Sequence, residues 1–158
     1  MRVAVLTISD SVARGERVDL SGPAIVQRCR ELGWEVGDPQ NCSDDTDQVR
    51  ASLRKLADSS EFDLVLTTGG TGLGPRDNTP EATLEVGEKV IPGIAEEMRR
   101  KGAEQTPTAV LSRGAAVIRN RSIILNLPGS PKGAVESLDA LAHLLPHAIR
   151  VLHGARHD

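Results

Sequence analysis

The residue types best suited to chemistry concentrate in one stretch, Thr67-Thr68-Gly69-Gly70-Thr71-Gly72-Leu73-Gly74-Pro75-Arg76-Asp77-Asn78-Thr79-Pro80. Glycines let the backbone approach a ligand closely, so that its N–H groups can point at phosphate oxygens. Two familiar anion loops are excluded. A P-loop requires Lys-Ser/Thr after its last glycine, and Gly74 is followed by Pro75-Arg76. The dinucleotide fingerprint requires G-x-G-x-x-G, which the spacing of Gly70, Gly72 and Gly74 does not give. A flexible surface turn is the plain alternative. Asp77 bears on the choice, because a carboxylate beside bound phosphate repels it unless a cation lies between. Mg²⁺ suits that position, since it binds through one or two carboxylates plus substrate phosphates. Arg76 can neutralise phosphate directly. Asp77 also suits an ordinary turn or cap ahead of a helix.

Three further polar clusters follow apolar runs. Ser9-Asp10-Ser11 comes after Val3–Ile8; in open α/β folds ligands gather at the carboxyl ends of strands. Ser9 and Asp10 are candidates on that ground, and equally suit turn hydrogen bonding. Asn41–Asp47 carries Asp44, Asp45 and Asp47 ahead of a helix. One of them is needed as N-cap and another favours the helix dipole, which leaves a spare carboxylate. If the strands are neighbours, Asp44 and Asp77 can face one cation from two loops. Leu127-Pro128-Gly129-Ser130-Pro131-Lys132 forms a second strand–turn–helix start suited to an anion. Ser112 is a lone hydroxyl. His143 and His147 are four apart, but no Glu stands between them and Pro146 disturbs the helix; a solvated face accounts for them better than zinc.

The elements that must hold these residues are legible. Val3–Ile8 and Phe62–Leu66 read as buried strands. Asp19-Leu20-Ser21-Gly22-Pro23 opens a helix with Ile25, Val26, Cys29 and Leu32 on one face, stopped by Gly33. Trp34–Gly37 is a modest strand extending toward Cys42, and Val12–Leu20 a loop. Val49, Leu53, Leu56 and Ala57 face inward on the helix after the acidic turn. Thr79 caps the next helix, with Pro80 as its first residue and Ala82, Val86 and Val90 as its stripe. Ile94 and Met98 mark another helix ending in Arg99-Arg100-Lys101-Gly102. Ala115–Arg119 and Ser122–Leu127 form a hairpin about Asn120-Arg121. Ser130 caps a long final helix with Val135, Leu138, Leu141, Ala142 and Leu145 inward, kinked by Pro146 and ended by Gly154. This order predicts an α/β layered domain over residues 1–158, with a mostly parallel sheet and one antiparallel hairpin.

Composition narrows the ligand. The chain has 158 residues, a net charge of −3, one Trp and one Phe, and no basic block. It lacks the electrostatic footprint and stacking platforms of a nucleic-acid binder, which favours a small molecule. Cys29 and Cys42 have no metal-ligand spacing; Cys29 reads as a buried thiol, and a disulfide stays open. The start enters a strand directly, with neither signal-peptide anatomy nor a membrane-length apolar run, so the expected compartment is the cytoplasm.

Taken together, Thr7-Ile8-Ser9-Asp10, Asp19-Leu20-Ser21-Gly22-Pro23, Thr67–Gly72, Pro75–Ala82, Leu111-Ser112-Arg113 and Asn126–Pro131 resemble, in order and interval, the molybdopterin-binding family of MogA, MoaB and the gephyrin G domain. The resemblance covers nearly the whole chain. It implies a three-layer α/β/α sandwich, usually trimeric, and a molybdopterin adenylyltransferase acting in molybdenum cofactor biosynthesis. Such an enzyme transfers AMP from ATP to the terminal phosphate of molybdopterin with Mg²⁺ and releases pyrophosphate. Its product would pass to the pathway's molybdenum insertase. Asp77 and Asp44 fall on the family's two important aspartates and would be both catalytic and Mg²⁺-binding, with Asp45 a rival because Ser43 stands where relatives often have Pro. Ser112 falls on a serine near the pterin. Ser9, Asp10, Ser21, Gly22, Thr68, Gly69, Gly70, Thr71, Gly72, Arg76, Pro128, Gly129, Ser130 and Pro131 complete the expected substrate-binding set. Ser130-Pro131-Lys132 replaces the Asn-Pro or Gln-Pro of relatives. The alternative is a MoaB-like protein that binds pterin or nucleotide with little or no adenylyl transfer.

Overall fold

The computed structural model describes residues 1–156. Its elements, in order, are β1 (Arg2–Ile8), α1 (Asp10–Ala13), α2 (Ser21–Glu31), β2 (Glu35–Val36), β3 (Gln40–Cys42), α3 (Thr46–Asp58), β4 (Leu64–Thr68), α4 (Thr79–Val86), β5 (Lys89–Val90), α5 (Pro92–Gln105), a 3₁₀ turn (Pro107–Leu111), β6 (Ala116–Arg119), β7 (Ser122–Leu127), α6 (Pro131–Leu141) and α7 (Leu145–Leu152). One sheet runs β2-β1-β4-β7-β6-β5, with β3 also paired to β1 beyond β2. The β1, β2, β3, β4 and β7 pairings are parallel; β6 runs against both β7 and β5.

Period-two alternation divides the core. Val3, Val5, Leu64 and Leu66 point to the face covered by α2, α5, α6 and α7. Ala4, Leu6, Ile8 and Val65 point to the face covered by α3 and α4. The result is a three-layer α/β/α sandwich whose central strands are buried on both sides, which is why they read as continuous apolar runs. Cys29 and Cys42 are free thiols in opposite cores, so no disulfide joins them.

Several boundaries differ from the sequence expectation. The Trp34–Cys42 region is two strands, both paired to β1. Ser9 turns the start of the expected loop into the short α1, its Oγ accepting from Val12 N at 3.3 Å. Thr79 is the first helical residue of α4 rather than its cap. Val90 leaves the α4 stripe for the exposed edge strand β5, because α4 stops at Val86 and backbone pairing to Val117 takes over. Helix α5 runs through Gly102 to Gln105; the glycine faces the 3₁₀ turn, where a Cβ would lie 2.9 Å from Ala109. The last helix is two, and Pro146 sits in the first turn of α7, where proline is tolerated, instead of kinking a continuous rod. Ala134 and Ser137 take the deep positions expected of Val135 and Ala142, which are half-buried. His143 lies between α6 and α7 and His147 within α7, so they do not share a helical face. His157 lies outside the described residues.

Candidate active site

Parallel register puts the carboxyl ends of four strands side by side. Ile8 pairs with Cys42, Thr7 with Thr68, and Thr68 with Leu127. The loops that follow β1, β3, β4 and β7 therefore emerge together, and they carry Ser9–Asp10, Asp44–Asp45, Gly69–Asp77 and Pro128–Ser130. A crevice of about 510 Å³ opens among them, within the size range of small-molecule sites.

Backbone geometry shapes its floor. Gly69 and Gly70 follow β4 with φ of +101° and +69°, a left-handed pair that side chains rarely adopt. A Cβ on Gly70 would collide with Thr79 Oγ1 and lie 3.2 Å from Asp44 Oδ1. The Thr79 hydroxyl is buried and finds no hydrogen-bond partner among the described residues. The loop then curls around Asp77, whose Oδ2 accepts from Gly74 N at 2.9 Å.

Asp44 and Asp77 both line this crevice, beside Gly69 and Gly70. Asp45 does not; its carboxylate caps α3, accepting from Asp47 N at 3.4 Å. The spare carboxylate of the acidic turn is thus Asp44. Asp10 is tied up instead: its Oδ1 accepts from Asp44 N at 3.0 Å, and its carboxylate takes a two-pronged bond from Arg76 at 2.9 and 3.1 Å. The Arg76 guanidinium, then the Asp44 amide, hold the Asp10 carboxyl below its usual range. Asp44 moves the other way. Burial pushes its carboxyl up, and the negative charges of Asp10 and Asp77 add to the push.

The remaining expected residues divide. Ser9, Ser21, Gly129, Ser130 and Pro131 line the crevice. Thr68 is fully buried and ties two loops, its Oγ1 donating to Pro128 O at 2.7 Å. Gly22, Thr71 and Gly72 stand behind the walls: Gly22 N donates to Asp19 Oδ1 at 3.0 Å, and the carbonyls of Thr71 and Gly72 accept from Arg113. Ser112 and Pro128 belong to a neighbouring cavity of about 260 Å³, bounded also by Met98, Arg99 and Lys132. Ser130 borders both cavities, so two ligands could meet across it.

Four residues escaped the sequence reading. Asp19 lines the crevice and accepts from Thr7 Oγ1 at 2.7 Å as well as from Gly22. Arg17 lines it too, reaching Ser9 Oγ at 3.3 Å. Arg99 donates to the carbonyls of Ser112 and Gly114 at 3.3 and 2.9 Å. Arg113 grips the glycine loop. Asp19 and Arg113 sit inside marked motifs, Asp19-Leu20-Ser21-Gly22-Pro23 and Leu111-Ser112-Arg113. Nothing local to Arg17 announces a role, and the basic run Arg99-Arg100-Lys101 at a helix end does not single out Arg99.

Among the described residues, the crevice presents the carboxylates of Asp19, Asp44 and Asp77 against the guanidinium of Arg17. A phosphate entering it needs an added cation. Among the described residues no group of three or more His, Cys, Asp and Glu side chains is arranged to hold a metal by itself. With the Asp19 carboxylate engaged by Thr7 and Gly22, those of Asp44 and Asp77, with the other positions left to water and phosphate, match the donor set of Mg²⁺.

Residues 4–147 match the family described as the probable molybdopterin binding domain. A molybdopterin adenylyltransferase of Helicobacter pylori strain J99 is 40% identical over 161 residues, spanning 98% of this chain and 89% of its own. The molybdopterin adenylyltransferase of Escherichia coli K12 is 37% identical over 156 residues, spanning 94% of this chain and 80% of its own. The crystal structure of the molybdopterin biosynthesis enzyme MoaB from Thermus thermophilus is 49% identical, covers 98% of this chain and 97% of its own, and superposes with a TM-score of 0.91. A MogA structure gives the same TM-score at 37% identity, over 96% of this chain and 99% of its own. With the glycine loop, the acidic turn and the sandwich in place, this chain belongs to the molybdopterin-binding domain family, in which these adenylyltransferases are its relatives.

Proposed function

We propose that this protein is a molybdopterin adenylyltransferase of molybdenum cofactor biosynthesis, transferring AMP from ATP to the terminal phosphate of molybdopterin. One observation carries the reading: Asp44 and Asp77, from separate loops, line a single crevice beside the left-handed Gly69–Gly70 turn. In the reaction an oxygen of the pterin's terminal phosphate forms a bond to the α-phosphorus of ATP. The bond from that phosphorus to the bridging oxygen breaks, and pyrophosphate leaves. The nucleophile is already anionic at neutral pH, so no strong base is required.

The chain's residues then position two anions. Asp44 and Asp77 are the residues that would hold Mg²⁺, whose chemistry when bound is to offset phosphate charge. The Gly69–Gly70 turn admits the nucleotide phosphates to close approach. Arg17 supplies fixed positive charge, while Arg76 first has to exchange Asp10 for phosphate. The cavity with Met98, Ser112 and Pro128 is the candidate pterin site, and Arg99 and Lys132 give it cationic groups against the one acid Glu136. Ser130, on the shared border, is where the two phosphates would meet. Positioning and charge neutralisation would supply the rate enhancement.

The deciding experiment incubates the protein with molybdopterin, ATP and Mg²⁺ and measures adenylyl-molybdopterin and pyrophosphate. Their absence, with pterin and nucleotide both bound, would select the second reading, a MoaB-like binding protein without transfer; the 49% identity to a protein named MoaB favours keeping it. The same proposal carries a cytoplasmic homotrimer that hands its product to a molybdenum insertase. Light scattering tests the trimer, and a monomer across a wide concentration range contradicts it. Among the described residues no helix is long and apolar enough to cross a membrane.

A further inference from the structure

Arg113 precedes β6, outside both the glycine loop and the acidic turn, yet it makes more bonds to the glycine loop than any crevice-lining side chain does. Its backbone N–H donates to Thr71 O at 2.9 Å. Its Nε donates to Gly72 O at 2.8 Å, and its Nη2 to Asp77 O at 2.6 Å. Its Nη1 pairs with the Glu81 carboxylate in the first turn of α4. A single planar guanidinium therefore spans the entry of the loop, the backbone of Asp77 and the helix that follows. The segment holding Arg113 is itself fixed, because Arg99 donates to the carbonyls on either side of it, those of Ser112 and Gly114.

This arrangement has a directional consequence. A glycine-rich loop has little side-chain packing to define it, and its glycines carry a high conformational entropy. The guanidinium draws the carbonyls of Gly72 and Asp77 toward one cation, and the Arg113 backbone N–H holds that of Thr71; together they fix both ends of the Gly72–Asp77 arc. The Asp77 carboxylate, on the same residue as one of those carbonyls, is left at the crevice, where Gly74 N–H orients it. A lysine ammonium is a compact charge on a flexible stem; the five-donor planar fork of arginine serves Gly72 O, Asp77 O and the Glu81 carboxylate at fixed spacing.

We infer that Arg113 is a positioning residue, a buckle that sets the Gly72–Asp77 arc and thereby places the Asp77 carboxylate for phosphate and cation binding. This rests on the proposed adenylyl transfer for its effect on turnover, but not for its effect on the loop. Arg119 serves as a control. It makes an equally elaborate set of bonds, to the Asp58 carboxylate and to Val86 O, at a place remote from the crevice.

The test compares Arg113→Lys, Arg113→Gln and Arg119→Lys with the unaltered chain. Amide hydrogen exchange over residues 69–78 is read by mass spectrometry; calorimetry reads ATP binding with Mg²⁺, and a kinetic assay separates kcat from KM. In both Arg113 variants exchange in the loop should rise by about tenfold or more while the central strands stay protected. ATP affinity should fall, and kcat/KM should drop by about 100-fold, the scale expected when a catalytic group is displaced by an ångström. Arg119→Lys should leave loop exchange and kcat/KM unchanged. Loop exchange equal to that of the unaltered chain in Arg113→Gln overturns the inference. So does a kcat/KM within about twofold of the unaltered chain, or an equal loss in Arg119→Lys. If the unaltered chain transfers no AMP, the adenylyltransferase reading fails by itself, and loop exchange still decides whether Arg113 is the buckle. Should Arg113→Gln not fold, Arg113→Lys and Glu81→Gln, which frees one arm of the guanidinium, carry the same exchange measurement.

Discussion

Asp10 and Asp44 hold each other by reciprocal backbone-to-carboxylate bonds: Asp10 N donates to Asp44 Oδ2 at 2.9 Å, and Asp44 N donates to Asp10 Oδ1 at 3.0 Å. The two residues stand 34 positions apart and follow neighbouring parallel strands, so the pair locks the β1 loop to the β3 loop. Arg76, from the glycine loop, closes the set on Asp10. Two carboxylates this near each other share one guanidinium between them. Asp10 takes it, while burial, with the charges of Asp10 and Asp77, pushes the Asp44 carboxyl up. That uncompensated carboxylate is what a divalent ion would relieve.

Asp44→Asn should separate folding from turnover. The amide oxygen can still accept from Asp10 N, while a half-buried carboxyl beside Asp10 and Asp77 is removed. Thermal stability should hold or rise slightly, and AMP transfer should fall by about 100-fold, as on removal of one electrostatic contributor to a transition state. Melting curves and initial rates at saturating Mg²⁺ check this. An unchanged rate removes Asp44 from the chemistry.

Asp77→Asn addresses the cation. With three carboxylates and one arginine lining the crevice, ATP should bind at least about tenfold more weakly in chelator than in Mg²⁺. The variant should lose most of that difference, because Asn offers no charge to the ion. Titration calorimetry in the two buffers reads it. Equal affinities for the unaltered chain in both would mean that nucleotide binds without the metal.

How much of this was legible in the sequence follows from what each signal depends on. The buried strands, the hairpin at Asn120-Arg121 and the layered α/β class were readable because apolar runs and turn residues are local; the three-layer arrangement came only with the family resemblance. The grouping of Asp44 with Asp77 was only conditional, since it depends on β1, β3 and β4 lying side by side. The choice of Asp44 over Asp45 needed coordinates: which aspartate caps α3 is decided by the backbone angle at Asp45, not by its type. Arg76 read as a phosphate ligand, and its engagement with Asp10, 66 residues away, lay beyond any local pattern. The sequence places Arg99 at a helix end; with α5 running on to Gln105, it sits within the helix and serves the Ser112–Gly114 backbone.

The thiols should be unreactive while the protein is folded. Burial in the core pushes Cys29 up to about 12 from an ordinary 9.0, and pushes Cys42 up as well. Because thiolate is the reactive form, alkylation by iodoacetamide at pH 8 should be negligible in the folded chain and rapid in urea. The linkage has a definite sign. Above pH 9.0 the unfolded chain releases a proton that folded Cys29 retains, so stability should fall as pH rises from there. Cys29→Ala should flatten that alkaline decline, and a decline of equal slope in the variant would assign it to other groups.

At acid pH the sign reverses, and Asp58 shows it away from the crevice. Its carboxylate accepts two bonds from Arg119, at 3.0 and 2.9 Å, and another from Asn120 at the hairpin tip. The Arg119 bonds, then the charge of the same guanidinium, hold its carboxyl below the ordinary 3.8. A carboxyl lowered in the folded state contributes stability that is fully present above 3.8 and is lost as pH falls through the folded value. Asp58→Asn should therefore cost some stability at pH 7, with no change below the folded value, where the unaltered residue is protonated too. The two denaturation curves should converge as pH falls below about 4. AMP transfer at pH 7 should be unaltered, because this pair ties α3 to the β6–β7 hairpin and touches neither cavity. Curves that stay parallel down to pH 2 would show that the Arg119 pairing does not set the acid limb.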